Sequence, residues 1–449
     1  MAYTFLLMYR KVILFTIGTL LCCSIHAVGQ GLPYKQDLDT LLHALQDNYP
    51  SLYRFHTPAE IKRMYHTYAQ QINATTSRRD CYKLTKYFLS SLQDGHLGCT
   101  PPDTLKKLFD EEEKIFPVAM VFLAGKAYVD CDPSGKLPVG TEILSINEKP
   151  VAGIVEKLFQ YIVSDGEINS KKYRILDRNF SFYYQLVYGP HAGYHITYRD
   201  IRGAVAMVDI YGETRSHLSC TNHLQPADTP LLVFSYPQPH TALLTIRTFA
   251  QDDLEAAGLD FAHFLDSAFH QLQQQDIKAL IIDVRGNGGG RDVYGALLYA
   301  YLTDRPFRYY AQLSTTSRLL TAADHPNLAM QQPQAANFKG KVFLLTDGLS
   351  FSVTSEFCAV VRSHRRALFI GTETGGGYCG NTSGSFKEVL LPYSHISVAF
   401  PTVRYTMAVQ DNGKMKRGII PDYEVTPTIG QLISHRDMAL ELALEKCQF

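Results

Sequence analysis

An α/β fold with a mostly parallel sheet is predicted for the larger, C-terminal part of this chain, behind a small helical unit and a β-rich module. Three observations predict it. From about residue 228 to 425, short apolar runs alternate with stretches of helical period, the spacing of βαβ units. Residues 33 to about 112 repeat apolar side chains at helical intervals. Between these parts, residues 116 to 200 carry short β-like runs around a strand–turn–strand unit.

Taken in order, the chain opens with Arg10 and Lys11 ahead of the apolar run Val12 to Cys23, followed by small residues around Ala27-Val-Gly29. About a dozen apolar residues are too few to span a bilayer, which needs roughly 20. Residues 1–29 therefore read as a signal peptide. The mature chain is expected to start near Gln30, without a transmembrane segment, in the periplasm or outside the cell. A minority reading makes Cys22 or Cys23 a lipid-anchor site, as in an outer-membrane lipoprotein.

Residues 30–112 read as a helical domain: Leu38, Leu41, Leu42 and Leu45 share one face, and Tyr82 to Leu92 repeats the spacing. Asp37-Leu-Asp39 and Thr57-Pro-Ala-Glu60 are candidate helix starts. The domain ends in Leu92-Gln-Asp-Gly-His-Leu-Gly98, a turn with two glycines around one histidine. In residues 113–227, Phe116 to Val121 and Ala127 to Val129 are strand candidates, and Lys136 to Val151 reads as strand, turn, strand leading into a helix. In residues 228–425 strands are expected at 241–246, 279–284, 341–346 and 367–371, with helices at 252–274, 292–301 and 353–362. Residues 426–449 form a C-terminal helix or tail.

Composition narrows the function classes. The chain has 449 residues, 46% of them hydrophobic, enough for several cores, so two or three domains are expected. Lys plus Arg equals Asp plus Glu at 43 each, so there is no electrostatic footprint for nucleic acid or an anionic membrane. Seven cysteines lie beyond the export segment: Cys81, Cys99, Cys131, Cys220, Cys358, Cys379 and Cys447. They are scattered without CxxC pairs, so neither a zinc site nor a dense disulfide framework is indicated. One or two disulfides are compatible with export, and an odd count leaves at least one thiol free. No metal or organic cofactor is implied.

The most informative segment is Ala279-Leu-Ile-Ile-Asp-Val-Arg-Gly-Asn-Gly-Gly-Gly290. A strand-length apolar run ends in a loop where four of five residues are Gly, which lets backbone N–H groups approach a ligand with no Cβ in the way. Val342-Phe-Leu-Leu-Thr-Asp-Gly-Leu-Ser-Phe-Ser352 repeats the arrangement with hydroxyls at the turn. In an open α/β sheet both loops fall beyond the carboxyl ends of strands, where ligands bind. Ser352 precedes a helix whose amides and dipole favour developing negative charge. Taken alone it is more often a helix cap than a nucleophile, and the neighbouring glycine loop reverses that preference. The base would be His96, in its glycine-flanked turn; His240, His364 and His395 are weaker candidates. A phosphate cradle is disfavoured because no Lys-Ser or Lys-Thr follows the glycines.

Three segments carry a family resemblance: Asp283 to Gly290, Leu345 to Phe357 with Phe369 to Gly377, and Arg417-Gly-Ile-Ile-Pro-Asp422. They resemble the tail-specific or C-terminal processing serine peptidases, in the branch with tricorn-core and retinoid-binding-protein relatives. Lys136 to Val151 also resembles the PDZ domain, which captures peptide ends by strand addition. The resemblance implies an N-terminal helical domain, a PDZ-like module and a ClpP/crotonase-like α/β catalytic domain. Carried over by residue, it makes Ser352 the nucleophile and the amides of Gly288, Gly289 and Val353 the oxyanion hole. Asp94-Gly95-His96 matches the Asp-x-His element that supplies the base in one branch. Lys387, the nearest lysine after the glycine stretch at 375–377, is not assigned as a base. Tricorn-like members carry Ser where this chain has Gly95, and a Glu before the Gly-Ile-x-Pro-Asp stretch; Asp411 is the nearest acid here. Ser352 to Glu356 is one residue longer than usual. The implied activity is an exported serine peptidase acting on peptides or proteins. The alternative is a catalytically degenerate protein on the same scaffold that binds a peptide or a lipophile.

Overall fold

The computed structural model describes residues 31–218, 224, 230–411, 413 and 415–448; the expected signal peptide, with Cys22 and Cys23, and Cys220 lie outside these residues. Helices α1 (Gly31–Asn48), α2 (Pro58–Ala69) and α3 (Arg78–Ser91) form the N-terminal unit. Thr57 and Ser77 start α2 and α3 with capping boxes, each hydroxyl accepting the amide of the third helical residue. Asp37 does not start a helix as expected. It lies inside α1, and its carboxylate accepts the amides of Tyr393 and Ser394 from the far end of the chain. A short strand β1 (Gly98–Thr100) follows the His96 turn.

The middle unit is a five-strand path, β2 (Ala119–Leu123), β3 (Lys126–Cys131), β4 (Glu142–Ile146), β5 (Gly193–Arg199) and β6 (Val205–Tyr211), antiparallel throughout. Helices α4 (Val151–Phe159) and α5 (Asn169–Tyr188) pack on it through Leu158, Leu176, Phe180 and Tyr184. Cys131, at the end of β3, is disulfide-bonded. Cys81, Cys99, Cys358, Cys379 and Cys447 are free.

The third unit is built on a six-stranded sheet. Its order is β7 (Leu232–Gln238), β8 (Thr241–Ile246), β9 (Ala279–Asp283), β11 (Lys341–Thr346), β12 (Leu368–Gly371) and β15 (Tyr423–Glu424), while β10 (Tyr310–Ser314) belongs to another sheet. Only β7 runs antiparallel to its neighbour. Every residue of β9 is buried, as a parallel strand covered on both faces requires. Leu280 and Ile282 face the core shared with α6 (Phe261–Gln274), α7 (Asp292–Ala300) and α8 (Val353–Ser363). Ala279 and Ile281 face Ala439, Ala443 and Cys447 around the C-terminal helix α9 (Met438–Lys446).

Two expectations change here. The single helix expected over 252–274 is two, because Gly258 takes a left-handed φ of +69° and Asp260 re-caps the chain by accepting the amide of His263. The second change is a four-stranded antiparallel sheet, whose register joins β10 (Tyr310–Ser314), β13 (Gly380–Leu390) and β14 (Ser397–Met407) to β1. This sheet ties the N-terminal unit to the α/β unit immediately after the His96 turn. No helix among the described residues is long and apolar enough to cross a membrane.

The glycine loop after β9 is fixed at its far end by backbone contact. Gly290 has a φ of +143° and bridges Phe249, and an added Cβ would sit 2.0 Å from the Phe249 carbonyl carbon. Gly290→Ala is therefore expected to lower unfolding stability by about 2 kcal/mol or more, read as a fall in the urea midpoint. A midpoint unchanged from wild type would contradict this packing.

Candidate active site

The parallel pairing of β9 with β11 sets Asp283 opposite Leu345, so the two loops beyond these residues leave the sheet side by side. Asp283 is buried and is held by both Arg247 and Arg285, the latter also bridging to Asp437. Burial alone would raise its carboxyl; the two guanidinium groups, Arg285 foremost, hold it far below the usual carboxylate range. The loops are then stitched together. The Phe351 amide donates to Asn287 O at 3.1 Å, the Gly286 amide to Asp347 Oδ1 at 3.0 Å, and the Ser350 hydroxyl to Val284 O at 2.9 Å.

Ser352 sits at the start of α8 with φ +54° and ψ −126°, a conformation that L-residues avoid. Its hydroxyl makes no capping bond to the helix it begins. Instead Ser352 Oγ lies 3.1 Å from His96 Nε2. The strained backbone turns the hydroxyl away from the cap position and toward the imidazole. Gly289 makes the close approach possible: its φ is +102°, and a Cβ there would lie 2.7 Å from the Ser352 Cβ.

The three amides expected around the hydroxyl are not equivalent. The Gly289 N–H already donates to Asn287 Oδ1 at 2.9 Å, so its role is steric. The amides of Gly288 and Val353 donate to no group among the described residues. A Cβ at Gly288 would meet nothing within 4 Å, which leaves open space on that side of the loop.

His96 is flanked by an acid that the sequence placed two residues away without a role. Asp94 Oδ1 lies 3.7 Å from His96 Nδ1, an electrostatic contact rather than a hydrogen bond. That oxygen accepts the His96 amide at 2.9 Å, while Oδ2 accepts the Tyr49 hydroxyl at 2.5 Å. Burial would raise the Asp94 carboxyl, but the His96 ring, the Tyr49 hydroxyl and the His96 amide together hold it down to about 2. The site thus keeps a fixed negative charge beside the imidazole. Asp411 does not fill this place; its carboxylate accepts the Gly413 amide on an exposed turn. Lys387 is exposed on β13 and reaches Asn48. His240 and His364 bond backbone carbonyls of Asp276 and Val360.

Asp94, His96 and Asp165 offer three ligand atoms within 4.8 Å of one another. The positive charge beside the two carboxylates is the buried ammonium of Lys171, and the Asp165 oxygens are already taken by the amides of Gly95 and Gly377. One turn along α8, Glu356 is also buried, accepting from the Tyr310 hydroxyl at 2.7 Å and from Asn381 Nδ2 at 2.8 Å. Burial foremost, with the nearby Asp292, raises its carboxyl to about 7.

Residues 240–425 match the family model for Peptidase family S41. A tail-specific protease of Haemophilus influenzae is 26% identical over 154 residues, which cover 34% of this chain. The match spans 21% of that curated relative's length. The structure of mature CPAF complexed with lactacystin superposes with a TM-score of 0.66 at 15% identity, over 93% of this chain and 97% of the other. Mature CPAF alone gives 0.65 at 15% identity, over 93% and 96%. At this identity the likeness concerns the fold.

The Glu356 carboxyl supplies a test of the site's burial. Folded, it keeps its proton up to about 7, whereas an unfolded glutamate releases it near its ordinary 4.5. Between those values the unfolded state binds fewer protons, so stability falls as pH rises through the window, by up to about 3 kcal/mol from this group. Glu356→Gln, which cannot ionise, is expected to lose that component when thermal midpoints are compared from pH 4.5 to 8. Parallel pH curves for the two proteins would show that Glu356 ionises as freely folded as unfolded.

Proposed function

We propose that this chain, whose residues 240–425 match the model for Peptidase family S41, is an exported serine peptidase in which Ser352 is the nucleophile and His96 the base. The single observation that carries this reading is the 3.1 Å contact between Ser352 Oγ and His96 Nε2, from a serine that forgoes its helix cap to make it. In the proposed reaction His96 Nε2 takes the hydroxyl proton as Oγ attacks the peptide carbonyl. The tetrahedral oxyanion is received by the Gly288 and Val353 amides, with Gly289 keeping the space clear. His96 then returns the proton to the leaving amine. Water, activated by the same imidazole, releases the acyl group from Ser352. Asp94 stabilises the imidazolium by charge, and its carboxylate holds the His96 turn by accepting the His96 backbone amide.

The disulfide at Cys131 supports export, since such bonds persist in oxidising compartments. The middle unit would be the PDZ-like module. Its edge strand β2 is already occupied: the Phe122 amide donates to Asp177 Oδ1 at 2.9 Å and Arg174 donates to Phe122 O at 2.5 Å, both from α5. Peptide addition at that edge would have to displace these two side chains. No observation favours the degenerate binding protein, which would have no need to hold a strained serine against a histidine.

Labelling of the exported chain with a fluorophosphonate, mapped by mass spectrometry, tests the reading. Wild type is expected to be modified at Ser352, Ser352→Ala not at all, and His96→Ala at least about 10³-fold more slowly. Asp94→Asn should slow labelling by about 10²–10⁴-fold without abolishing it. A folded wild type that takes no label would overturn the assignment.

A further inference from the structure

His96 and Ser352 come from different units and are 256 residues apart, so something must hold their turns in register. Two buried side chains, one just before α5 and one in its first turn, link the two turns, Lys171 by direct contact with both and Asp165 through the glycine run at 375–377. Asp165 Oδ1 accepts the Gly95 amide at 2.7 Å, and its Oδ2 accepts the Gly377 amide at 3.0 Å. Gly377 belongs to the glycine run after β12, whose Gly376 amide donates to Ser355 Oγ on α8. One carboxylate therefore joins the residue next to His96 to the helix that begins at Ser352.

Lys171 repeats the pattern with the opposite charge. Its ammonium donates to Gly95 O at 3.0 Å and stands 3.1 Å from the centroid of the Phe351 ring, the residue before Ser352. The same ring packs against His96 at 4.5 Å between centroids. Both backbone groups of Gly95 are thus held by side chains of the middle unit. The cost is visible in Lys171, which is only 8% exposed and whose burial lowers its ammonium to about 8 despite Asp165 and Asp94 beside it. The arrangement also accounts for glycine at position 95, since a Cβ there would lie 2.6 Å from Lys171 Nζ and 2.9 Å from the Phe351 ring.

We infer that Asp165 and Lys171 are positioning residues that clamp the His96 turn against the Ser352 turn, so that the nucleophile is activated only while both clamps are closed. This rests on the serine–histidine reading above. The clamp acts on geometry, so its loss falls on the rate of bond formation rather than on encounter with the reagent.

The experiment is the rate of fluorophosphonate labelling of the full exported chain, resolved into the limiting rate and the half-saturating reagent concentration. Asp165→Asn and Lys171→Met are expected to lower the limiting rate by about 10²-fold with the half-saturating concentration within about twofold of wild type. In wild type the limiting rate should also fall as pH rises through about 8, where the ammonium is lost between Asp165, Asp94 and the neighbouring His96 turn. This limb should be absent in Lys171→Met, and it tests the clamp even if neither variant folds. Folded variants that label at the wild-type rate, or a wild-type rate that stays level to pH 9.5, would overturn the clamp while leaving the nucleophile assigned. A wild type that takes no label would overturn both.

Discussion

The structure depends on one adjacency: β9 and β11 are neighbouring parallel strands in fixed register, so the loops at their carboxyl ends are forced together. A glycine loop and a hydroxyl loop meet there with no room for a side chain between them, since a Cβ on Gly289 would stand 2.7 Å from that of Ser352. The remaining order follows from holding this contact. Asp283 and its two arginines pin the end of β9, Gly290 pins the far end of the loop against Phe249, and α8 carries Ser352 away into the core. The left-handed backbone of Ser352 costs on the order of 1–3 kcal/mol. Burial of Phe357, Cys358, Val360 and Val361 along the same helix supplies the packing that can sustain it.

Much of this was legible in the sequence because it is local. Strand 279–283, its glycine loop and the helix after Ser352 are each set by residues within a dozen positions, and hydrophobic period reports such features directly. What the sequence concealed is long-range. Asp37 has the spelling of a helix start, yet its partners are amides some 356 residues away, which no local pattern encodes. The strand pair 380–390 and 397–407 escaped because its register shifts between Ser383 and Phe386 and Pro401 interrupts the alternation. The 252–274 segment kept helical period through Gly258, so periodicity alone could not show the break.

The site divides the same way. Ser352 and His96 stood out by their turns, and the structure brings their side chains to 3.1 Å. Asp94 is part of the Asp94-Gly95-His96 match but carries no role there, because the family resemblance implies an acid just before Arg417-Gly-Ile-Ile-Pro-Asp422. The signal that could have found it is the spacing itself: two residues along one tight turn can place a carboxylate beside both the amide and the ring of the histidine. Asp165 and Lys171 gave no signal, being a loop acid and an early helical lysine until folding buries them. The family resemblance groups Gly288, Gly289 and Val353 together as donors. Only the hydrogen bond to Asn287 separates the steric role of Gly289 from the free amides beside it.

Charge is the thread that joins these parts. Asp94 and Asp165 are both buried on the histidine side of the site, where two uncompensated carboxylates would be costly to bury. Lys171 supplies the opposite charge from a third direction, its ammonium held up by Asp165 and Asp94 against the effect of burial. A lysine is suited to this place because its compact ammonium fits between a carbonyl, an aromatic face and two carboxylates, where a planar guanidinium would demand more room. Glycine at 95 is the complementary choice, since the space a larger residue would fill is the space the ammonium occupies. The departure from serine at that position and the buried lysine are thus two sides of one packing solution. The middle unit thereby contributes to the chemistry of a site made of residues from the other two.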